Sequence, residues 1–341
     1  MNKVFIVLWT TSECNLSCKY CYATQVQEKT HMDFETAKKI IDYFKNSNMK
    51  IQFTGGEPLL NFDLIKQVYS YIQEKKYKAS FQMQTNATLI DNLMARELKQ
   101  MNISIGVSMD GPPEINEVLR GKTNHLIKGM HHLAQAGITV NLNSVVTSIN
   151  VSRLSELADV ALYFGNVAGV GLDLLRHTGR AKDSDSTVKD VTERQLTEGL
   201  VALHERCEIL YKYSGKKLYI RSIQEAKKRL TSNACVYKKA YCYASTGQSY
   251  VVLPNGKIYP CGSLTDHPEY YIGNLNIDEN IKQISLPSPT ANECEKCKYN
   301  YFCTGTCPSR SIINGSFRLE NSLDCALKKI SFKIAEKLIS S

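Results

Sequence analysis

Six short apolar segments alternate with amphipathic helical segments between residue 3 and about residue 175, and this alternation limits the fold more than any other feature. The predicted strands are Val4–Trp9, Lys50–Thr54, Ala79–Thr85, Ile103–Met109, Ile138–Val146 and Val167–Leu175. The predicted helices between them are Phe34–Asn46, Phe62–Lys75, Ile90–Met101, Thr123–Ala136 and Ser152–Phe164. Successive strands joined by helices pair in parallel, because each helix supplies the crossover connection. A closed barrel needs eight such units, so six predict an α/β protein with an open, partial (β/α)6 barrel.

Three cysteines, Cys14, Cys18 and Cys21, stand within eight residues directly after the first strand. This is the carboxyl end of a strand, where parallel sheets place their active sites. Three thiolates can hold a metal, but they leave a four-coordinate iron or zinc one ligand short. The next cysteine is Cys207, so the fourth ligand is either distant or a small molecule. A zinc knuckle is the alternative, although no His or Cys follows at the spacing of a zinc finger.

Two other loops are predicted at the same end of the sheet. Gly55-Gly56-Glu57 follows the second strand, and Ser108 ends the fourth. The two glycines allow close approach of the backbone, and Glu57 with the neighbouring peptide edges can accept hydrogen bonds from an ammonium group. Taken alone, the glycine stretch is equally compatible with a plain turn from strand to helix.

Eight further cysteines crowd the last third of the chain. They are Cys235, Cys242, Cys261, Cys294, Cys297, Cys303, Cys307 and Cys325. Eight thiolates complete two four-cysteine sites by count, although C-x2-C and C-x3-C spacings also suit a pair of zinc ribbons. Among them, Ser249–Leu253 and Lys257–Tyr259 flank an Asn-Gly pair, which predicts a β-hairpin. Cys207 stands alone in a predicted helix, Thr192–Tyr213, and is expected to be a small buried hydrophobe.

Composition excludes several classes of protein. The 341 residues are 43% hydrophobic and 22% charged, as in ordinary globular proteins, and no apolar run is long enough for a membrane helix. With no signal peptide in the sequence, we expect a cytoplasmic protein, in which twelve cysteines indicate metal or redox chemistry. The net charge of +9 fits a lysine-rich surface or attraction of an acidic substrate segment. No nucleic-acid motif is present, so neither nucleic acid nor membrane is an expected partner.

The spacing Cys14-x3-Cys18-x2-Cys21, with Tyr20 before the last cysteine, resembles that of radical S-adenosylmethionine (SAM) enzymes. In that family three cysteines hold a [4Fe–4S] cluster, whose fourth iron is chelated by the amino and carboxylate groups of SAM. The family also has a partial (β/α)6 barrel. Two further stretches resemble its peptide-modifying branch: Gln84-Thr85-Asn86-Ala87-Thr88, where Ala87 replaces the usual Gly, and Ser108-Met109-Asp110-Gly111-Pro112. The SAM-binding residues that the resemblance implies are Tyr20, Gly55, Gly56, Glu57, Ser108 and Arg120.

The later cysteines resemble those of a SPASM domain, which carries two auxiliary [4Fe–4S] clusters, so that three clusters are expected in all. By this resemblance the first auxiliary cluster would be held by Cys235, Cys242, Cys261 and Cys307. The second would be held by Cys294, Cys297, Cys303 and Cys325. The implied domains are a barrel at 1–185, a bridging helical region at 186–230, a SPASM domain at 231–325 and a C-terminal helix at 326–341, beginning near Leu327.

The resemblance implies reductive cleavage of SAM to a 5′-deoxyadenosyl radical that abstracts hydrogen from the substrate. The leading hypothesis is maturation of a ribosomally made peptide by a thioether, carbon–carbon or related crosslink. An anaerobic sulfatase maturase, which forms formylglycine, is the runner-up. The third hypothesis, an Fe–S electron carrier or zinc-bound scaffold, is disfavoured because a carrier needs no SAM pocket. Expected partners are a peptide or protein substrate and an electron donor such as flavodoxin or ferredoxin. Because strand one begins at about residue 3, we expect a leader-binding partner to be either a separate protein or absent.

Candidates for a catalytic base are Asp173 and His177, at the end of the sixth strand, and Asp266. A base suits formylglycine formation, which removes a proton as well as a hydrogen atom. By resemblance, sulfatase maturases are expected to have an Asp directly after the middle SPASM cysteine. Here Cys261 is followed by Gly262, and the first carboxylate is Asp266, which favours the leading hypothesis.

Overall fold

A computed structural model describes residues 3–26, 29–182, 187–232, 240–287, 292–315 and 322–340. These residues contain ten strands: β1 Lys3–Thr11, β2 Asn48–Gly55, β3 Ala79–Thr85, β4 Ser104–Ser108, β5 Val140–Val146, β6 Val167–Leu174, β7 Tyr219–Ile220, β8 Ser249–Val252, β9 Lys257–Tyr259 and β10 Gly273–Asn274. They form one sheet in the order β10-β9-β8-β1-β2-β3-β4-β5-β6-β7, in which β1 to β7 pair in parallel. The predicted partial barrel of six strand–helix units is confirmed.

The described residues contain eleven helices, of which those that connect the barrel strands cover the outer face of the sheet. The eleven helices are α1 Phe34–Tyr43, α2 Phe62–Lys75, α3 Asn92–Gln100, α4 Pro113–Leu119, α5 Thr123–Gln135, α6 Glu156–Phe164, α7 Glu193–Ser214, α8 Arg221–Thr231, α9 Asn292–Glu295, α10 Pro308–Ile313 and α11 Leu323–Ser340. Their ends follow local chemistry: the Asp33 side chain accepts a hydrogen bond from the Thr36 N–H at 2.7 Å, and Gly165 ends α6 in the left-handed conformation. None of these helices is both long and apolar enough to cross a bilayer, in the part of the chain that the structure describes.

The structure differs from the predicted elements near β7 and at the carboxyl end. β7 is two residues long, too short for a periodic pattern, and α8 follows it directly. Helix α11 begins at Leu323, four residues before the predicted start at Leu327, so the predicted boundary at 325/326 falls inside a helix. Asp324 and Cys325 interrupt the apolar pattern of its first turn, which is why the pattern indicated a later start. The other divisions of the chain into domains remain predictions.

The cysteine-rich region continues the barrel sheet. β8 pairs in parallel with β1, from Phe5 opposite Ser249 to Leu8 opposite Val252, and β8 and β9 form the predicted hairpin. Gly256 in its turn has a φ of +81°, which favours glycine. The barrel and the later cysteines are therefore joined by backbone hydrogen bonds along β1.

The barrel interior is a hollow lined by polar side chains. Residues that point outward from the strands, such as Ile51, Phe53 and Val107, are fully buried under the helices. Residues at the alternate positions point inward and remain partly accessible, among them Gln52, Gln82, Gln84, Ser108, Asn141 and Asn143. Since a folded core is close-packed, this accessible polar lining marks a space that a bound molecule can fill.

Cys207 should be dispensable for metal binding. It is buried in α7 beside a cavity of about 30 Å³, and burial raises the pKa of its thiol to about 12. We expect Cys207→Ala to keep the wild-type iron content per chain and to lower the free energy of unfolding by about 1 kcal/mol, because it removes one buried sulfur. Iron analysis and denaturant unfolding measure the two effects. Loss of about one cluster's worth of iron would show that Cys207 is a ligand.

Candidate metal centre and cofactor site

The loop of Cys14, Cys18 and Cys21 lies at the carboxyl end of β1, above the opening of the hollow. The Cys14 Sγ accepts a hydrogen bond from the Leu16 N–H at 3.4 Å. Asn15 ties the loop to the end of β3, since its amide group bonds to Thr88 at 2.8 Å and to Asn86 at 2.9 Å. The residue that follows Cys14 therefore ties the loop to the segment after β3.

Gly55 and Gly56 bring the end of β2 against the cysteine loop. A Cβ atom on Gly56 would lie 1.9 Å from the Glu13 carbonyl oxygen, and one on Gly55 would lie 2.2 Å from that of Thr11. The Gly56 N–H donates to the Thr11 oxygen and the Glu57 N–H to the Glu13 oxygen, both at 2.8 Å. These glycines are thus required by the approach of two backbones, one of which carries the cysteines.

The Glu57 side chain is directed into the protein. Its carboxylate accepts hydrogen bonds from the Thr85 hydroxyl at 2.6 Å, the Asn86 N–H at 2.8 Å and the Leu59 N–H at 3.3 Å. Burial raises the pKa of Glu57 to about 7, although all three hydrogen bonds favour the charged form. Its carboxylate anchors β2 to the end of β3, which leaves the peptide edges of this turn as the groups available to an ammonium.

A buried carboxylate, Asp110, connects the cysteine loop to the barrel. It accepts hydrogen bonds from the Tyr20 hydroxyl, the Val145 N–H at 2.9 Å and Arg120 Nε at 2.7 Å. The Arg120 guanidinium also lies over the Tyr20 ring, 5.3 Å from its centre, and places Nη1 4.0 Å from the Cys18 Sγ. Arg120 is therefore paired inside the protein, with its remaining N–H groups near the cysteines.

Ser108 ends a hydrogen-bonded chain across the inner face of the barrel. Arg221 donates to Asn143 Oδ1, Asn143 Nδ2 donates to Gln84 Oε1 at 2.6 Å, and Gln84 Nε2 donates to the Ser108 hydroxyl at 2.8 Å. Because a guanidinium can only donate, the direction of every bond in the chain is fixed. The Ser108 oxygen is an acceptor from Gln84, so its own O–H can donate to a bound molecule.

The donor atoms of the first loop fit an iron–sulfur cluster. The three thiols lie within electrostatic range of one another, and burial raises the pKa of the Cys18 thiol, which Arg120 opposes. Thiolates this close to one another require a cationic group between them. In the described part of the chain, no three His, Cys, Asp or Glu side chains are spaced for a single metal ion.

The later cysteines fall into two groups. Burial raises the pKa of Cys325 and Lys329 lowers it, while Cys303, Cys294 and Cys297 are close enough to raise it further. Cys307 lies within electrostatic range of Cys242, and both Cys307 and Cys261 lie near Arg176. The structure thus brings together the predicted second set and three members of the first. The fourth, Cys235, lies outside the described residues.

Four alternating charges link β6 to the cysteine-rich region. Arg176 Nη1 lies 2.6 Å from Asp173, Arg310 bonds to Asp173, and Arg310 Nη1 lies 2.5 Å from Asp324. Arg176 Nη2 also lies 3.8 Å from the Cys307 Sγ. Burial acts to raise the pKa of Asp173, but Arg176 and Arg310 lower it to about 2. A carboxylate in this state is a weak proton acceptor at neutral pH.

The other two candidate bases each lie beside a charged side chain of opposite type. His177 is exposed and pairs with Asp190 at 2.7 Å. Asp266 lies 3.6 Å from His267 Nε2. Gly262, which follows Cys261, packs against Trp9 and Tyr22, so that a Cβ there would lie 3.1 Å from the Trp9 ring. The structure therefore brings none of these candidates into contact with the residues expected to bind SAM.

Sequence reasoning missed the roles of four residues in this site. They are Asp110, Gln84, Asn143 and Arg221. The signal for the polar lining was present, since amide or hydroxyl side chains recur at alternate positions: Ser80, Gln82 and Gln84 in β3, Ser104 and Ser108 in β4, and Asn141 and Asn143 in β5. The sequence alone does not show that these side chains line an interior. The same alternation in an open sheet would indicate a face exposed to solvent.

Replacing Gly56 should disrupt the first metal site. The methyl group in Gly56→Ala would displace the backbone at Glu13, so we expect the protein to lose as much iron as the triple variant Cys14→Ala, Cys18→Ala, Cys21→Ala. Gly215→Ala is the control, because a Cβ on Gly215 would face open space, so that only the positive φ of that residue opposes the substitution. It should cost about 1 kcal/mol of stability without loss of iron. A fully iron-loaded Gly56→Ala protein would contradict this account.

Ser108 should contribute to SAM affinity. We expect Ser108→Ala to raise the Kd for SAM about tenfold, because one hydrogen bond to a charged or strongly polar group is lost. Ser104→Ala, on the same inner face of β4, is the control and should leave the Kd unchanged. Equilibrium binding under anaerobic conditions measures both. Equal Kd values for the two variants would remove Ser108 from the site.

Comparison with known proteins agrees with this arrangement. The family model of the Radical SAM superfamily matches residues 10–161. An uncharacterized protein of Methanocaldococcus jannaschii is 35% identical over 299 residues, which cover 85% of this chain and 93% of that protein. Fe-coproporphyrin III synthase of Methanosarcina barkeri is 30% identical, covering 88% and 82% of the two chains.

Two solved structures share the fold over most of their length. Native anSMEcpe with bound AdoMet and Cp18Cys peptide has a TM-score of 0.80 at 22% identity, covering 100% of this chain and 98% of that chain. Streptococcus suis SuiB bound to precursor peptide SuiA has a TM-score of 0.69 at 18% identity, covering 95% and 76%. The family model, the two relatives of 30% identity or more and the cysteine loop at the end of β1 together place this chain in the radical SAM superfamily.

Proposed function

We propose that this radical SAM enzyme modifies a peptide, which it binds in the hollow of the barrel below the loop of Cys14, Cys18 and Cys21. The observation that carries the proposal is the accessible polar lining of that hollow. Its carboxamides, such as Gln52, Gln82 and Asn141, each offer a donor and an acceptor, as a peptide bond does. An extended peptide could therefore form hydrogen bonds to these side chains along the hollow.

The chain's own residues would prepare SAM for the reaction. When bound, the cluster and SAM supply a one-electron reductive cleavage that yields a 5′-deoxyadenosyl radical able to take a hydrogen atom. Cys14, Cys18 and Cys21 would hold three irons, and the peptide edges of Gly55 and Gly56 would accept the SAM ammonium group. The Ser108 O–H would donate to the carboxylate or ribose. Asp110 would keep Tyr20 and Arg120 fixed against the loop, which limits access of water.

The later cysteines support two auxiliary clusters, giving three [4Fe–4S] clusters in total. The set of Cys325 and its three neighbours has the donor count of one complete cluster. The set around Arg176 has three described members, and Cys235 would be the fourth. Formation of a crosslink removes two hydrogens from the peptide: one goes to the radical, and the other leaves as a proton and an electron. An auxiliary cluster is suited to accept that electron, and a flavodoxin or ferredoxin would supply the first one.

Related structures support a peptide substrate. The solved anSMEcpe and SuiB structures contain a Cp18Cys peptide and the precursor peptide SuiA. Of the two peptide activities considered, crosslinking and formylglycine formation, the second is less favoured for this chain. The position after Cys261 is a glycine packed against Trp9, and Asp173 is held ionised by two arginines. The position after Cys261 therefore lacks a carboxylate, and Asp173 is a weak proton acceptor at neutral pH.

A small molecule bearing carboxylates is the second candidate substrate. One relative is named Fe-coproporphyrin III synthase, and coproporphyrins carry several carboxylates. Two cations of the hollow belong to no ion pair in the described part of the chain: Lys50, which lies over the Phe5 ring, and Arg221, which bonds to Asn143. Those cations favour an anionic group on the substrate, whether it is a peptide or a macrocycle.

Co-expression with small peptides encoded beside the gene tests the peptide proposal. We expect mass spectrometry to detect the loss of two hydrogens per crosslink, because each new bond replaces two bonds to hydrogen. The triple variant of Cys14, Cys18 and Cys21 to Ala is the control and should leave the peptide unmodified. Reconstituted protein should contain about twelve irons per chain. No 5′-deoxyadenosine from fully loaded protein would favour an electron carrier or scaffold instead.

A second assay separates the two peptide activities. With a Cys-x-Pro-x-Arg sulfatase peptide, the purified enzyme should release 5′-deoxyadenosine only at the peptide-free background and form no aldehyde. A mass loss that matches conversion of thiol to aldehyde would establish the sulfatase maturase and overturn crosslinking as the activity.

A further inference from the structure

Two cations face each other across the lower half of the hollow, away from the cysteine loop. Lys50 lies on β2 and Arg221 directly after β7. Four strands separate β2 from β7 in the sheet, yet the two charges are close enough for Arg221 to lower the pKa of Lys50, after burial itself. Side chains so far apart along the sheet can approach only through the interior. Both therefore project into the lumen.

The backbone leaves room for Arg221 in the lumen. Gly171 on β6 faces inward, and a Cβ there would lie 2.1 Å from Arg221 Nη2 and 2.8 Å from the Asn143 side-chain oxygen. Any other residue at 171 would exclude the guanidinium from this position. Arg221 thus crosses β6 to reach Asn143 on β5, and most of its N–H groups remain for another acceptor.

No carboxylate neutralises this pair within the described ranges of the chain. Neither Lys50 nor Arg221 belongs to any ion pair there; Lys50 lies 5.8 Å from the centre of the Phe5 ring. Asp173, at the upper end of β6, is the one acidic residue at an inward position of β1 to β6 among the described residues, and it is paired with two arginines. The α8 helix adds positive potential, since no side chain caps its N-terminus and its first turn has no acidic residue.

We propose that Lys50 and Arg221 form a subsite for a carboxylate of the substrate, at the end of the lumen opposite the SAM loop. The inference rests on the proposed function to the extent that the lumen holds the substrate. In the proposed arrangement the substrate enters the hollow with an acidic group first. Lys50 and Arg221 then hold that group, while another part of the substrate reaches the radical. The net charge of +9 would favour the approach of such a molecule.

The chemistry of the lining favours a carboxylate among anions. A guanidinium binds the planar carboxylate through two parallel hydrogen bonds. The amides of Gln52 and Asn141, at inward positions on either side, can donate to the same oxygens. A bound anion would also offset the repulsion between two like charges, which is otherwise uncompensated in the lumen.

Binding of small probes tests the subsite without turnover. The protein is the reconstituted full-length chain with SAM bound, and ligand-observed NMR reports Kd values in about the millimolar range. N-acetylglutamate N-methylamide carries a side-chain carboxylate, and N-acetylglycine carries a terminal one. N-acetylglutamine N-methylamide is the neutral control, and inorganic phosphate tests for a general anion site. The better of the two carboxylate probes identifies the source of the group.

We expect Lys50→Gln and Arg221→Gln each to raise the Kd of the better carboxylate probe about tenfold or more. Lys50→Arg, which keeps the positive charge, should bind the same probe with about the wild-type Kd. Arg194→Gln is the matched control, because Arg194 lies on the surface of α7 and pairs with Glu198 at 2.7 Å. Lys50 is outside the hydrogen-bonded chain that ends at Ser108, so an effect of its replacement does not arise through Ser108. Equal iron content across the variants shows that each is folded.

Three results would overturn the subsite: no carboxylate binding by the wild type, equal Kd values in all variants, or phosphate binding as tight as carboxylate binding. These outcomes are separate from failure of the proposed function. Peptide modification without carboxylate binding would remove the subsite alone. Carboxylate binding that depends on Lys50 and Arg221, without any peptide modification, would keep the subsite and favour a small-molecule substrate.

Discussion

The buried carboxylate of Asp110 is the contact on which the arrangement of the site depends. It holds the Tyr20 hydroxyl, the Arg120 guanidinium and the Val145 N–H at once, so that the cysteine loop, the segment after β4 and strand β5 share one anchor. Arg120 is almost fully buried, and a buried cation without its partner is strongly destabilising. Because Tyr20 stands between Cys18 and Cys21, the geometry of the metal loop is set by an acid ninety residues later in the chain.

The same electrostatics predict that folding and metal binding are coupled in this chain. The cysteines of each group lie near one another, and burial raises the pKa of several of their thiols. Neutral thiols are poor ligands, so the metal must provide the positive charge that stabilises the thiolates. Arg120 near Cys18 and Arg176 near Cys307 supply part of that charge before any metal arrives.

Local patterns were sufficient to predict the barrel strands, whereas the two sets of later cysteines were implied by the resemblance. Six apolar segments with helices between them permit few other topologies, and cysteine spacing does not depend on the fold. The function of charged residues was less accessible. Asp173 had the position of a base, but its pairing with Arg310 joins residues 137 apart in sequence. Ala87 was identified as an unusual replacement of glycine, and its φ of +59° shows why glycine is usual there.

Pairing of β8 with β1 has a mechanical consequence. The loop of Cys14 to Cys21 leaves the end of β1, and Cys261 follows β9, which is two strands away in the same sheet. Strands lie about 4.8 Å apart, so the lateral offset between the two loops is about 10 Å and is fixed by backbone hydrogen bonds. Trp9 and Tyr22 fill the space between them. An electron that passed between metal groups on the two loops would meet the same separation throughout the reaction, because paired strands hold both walls of the gap.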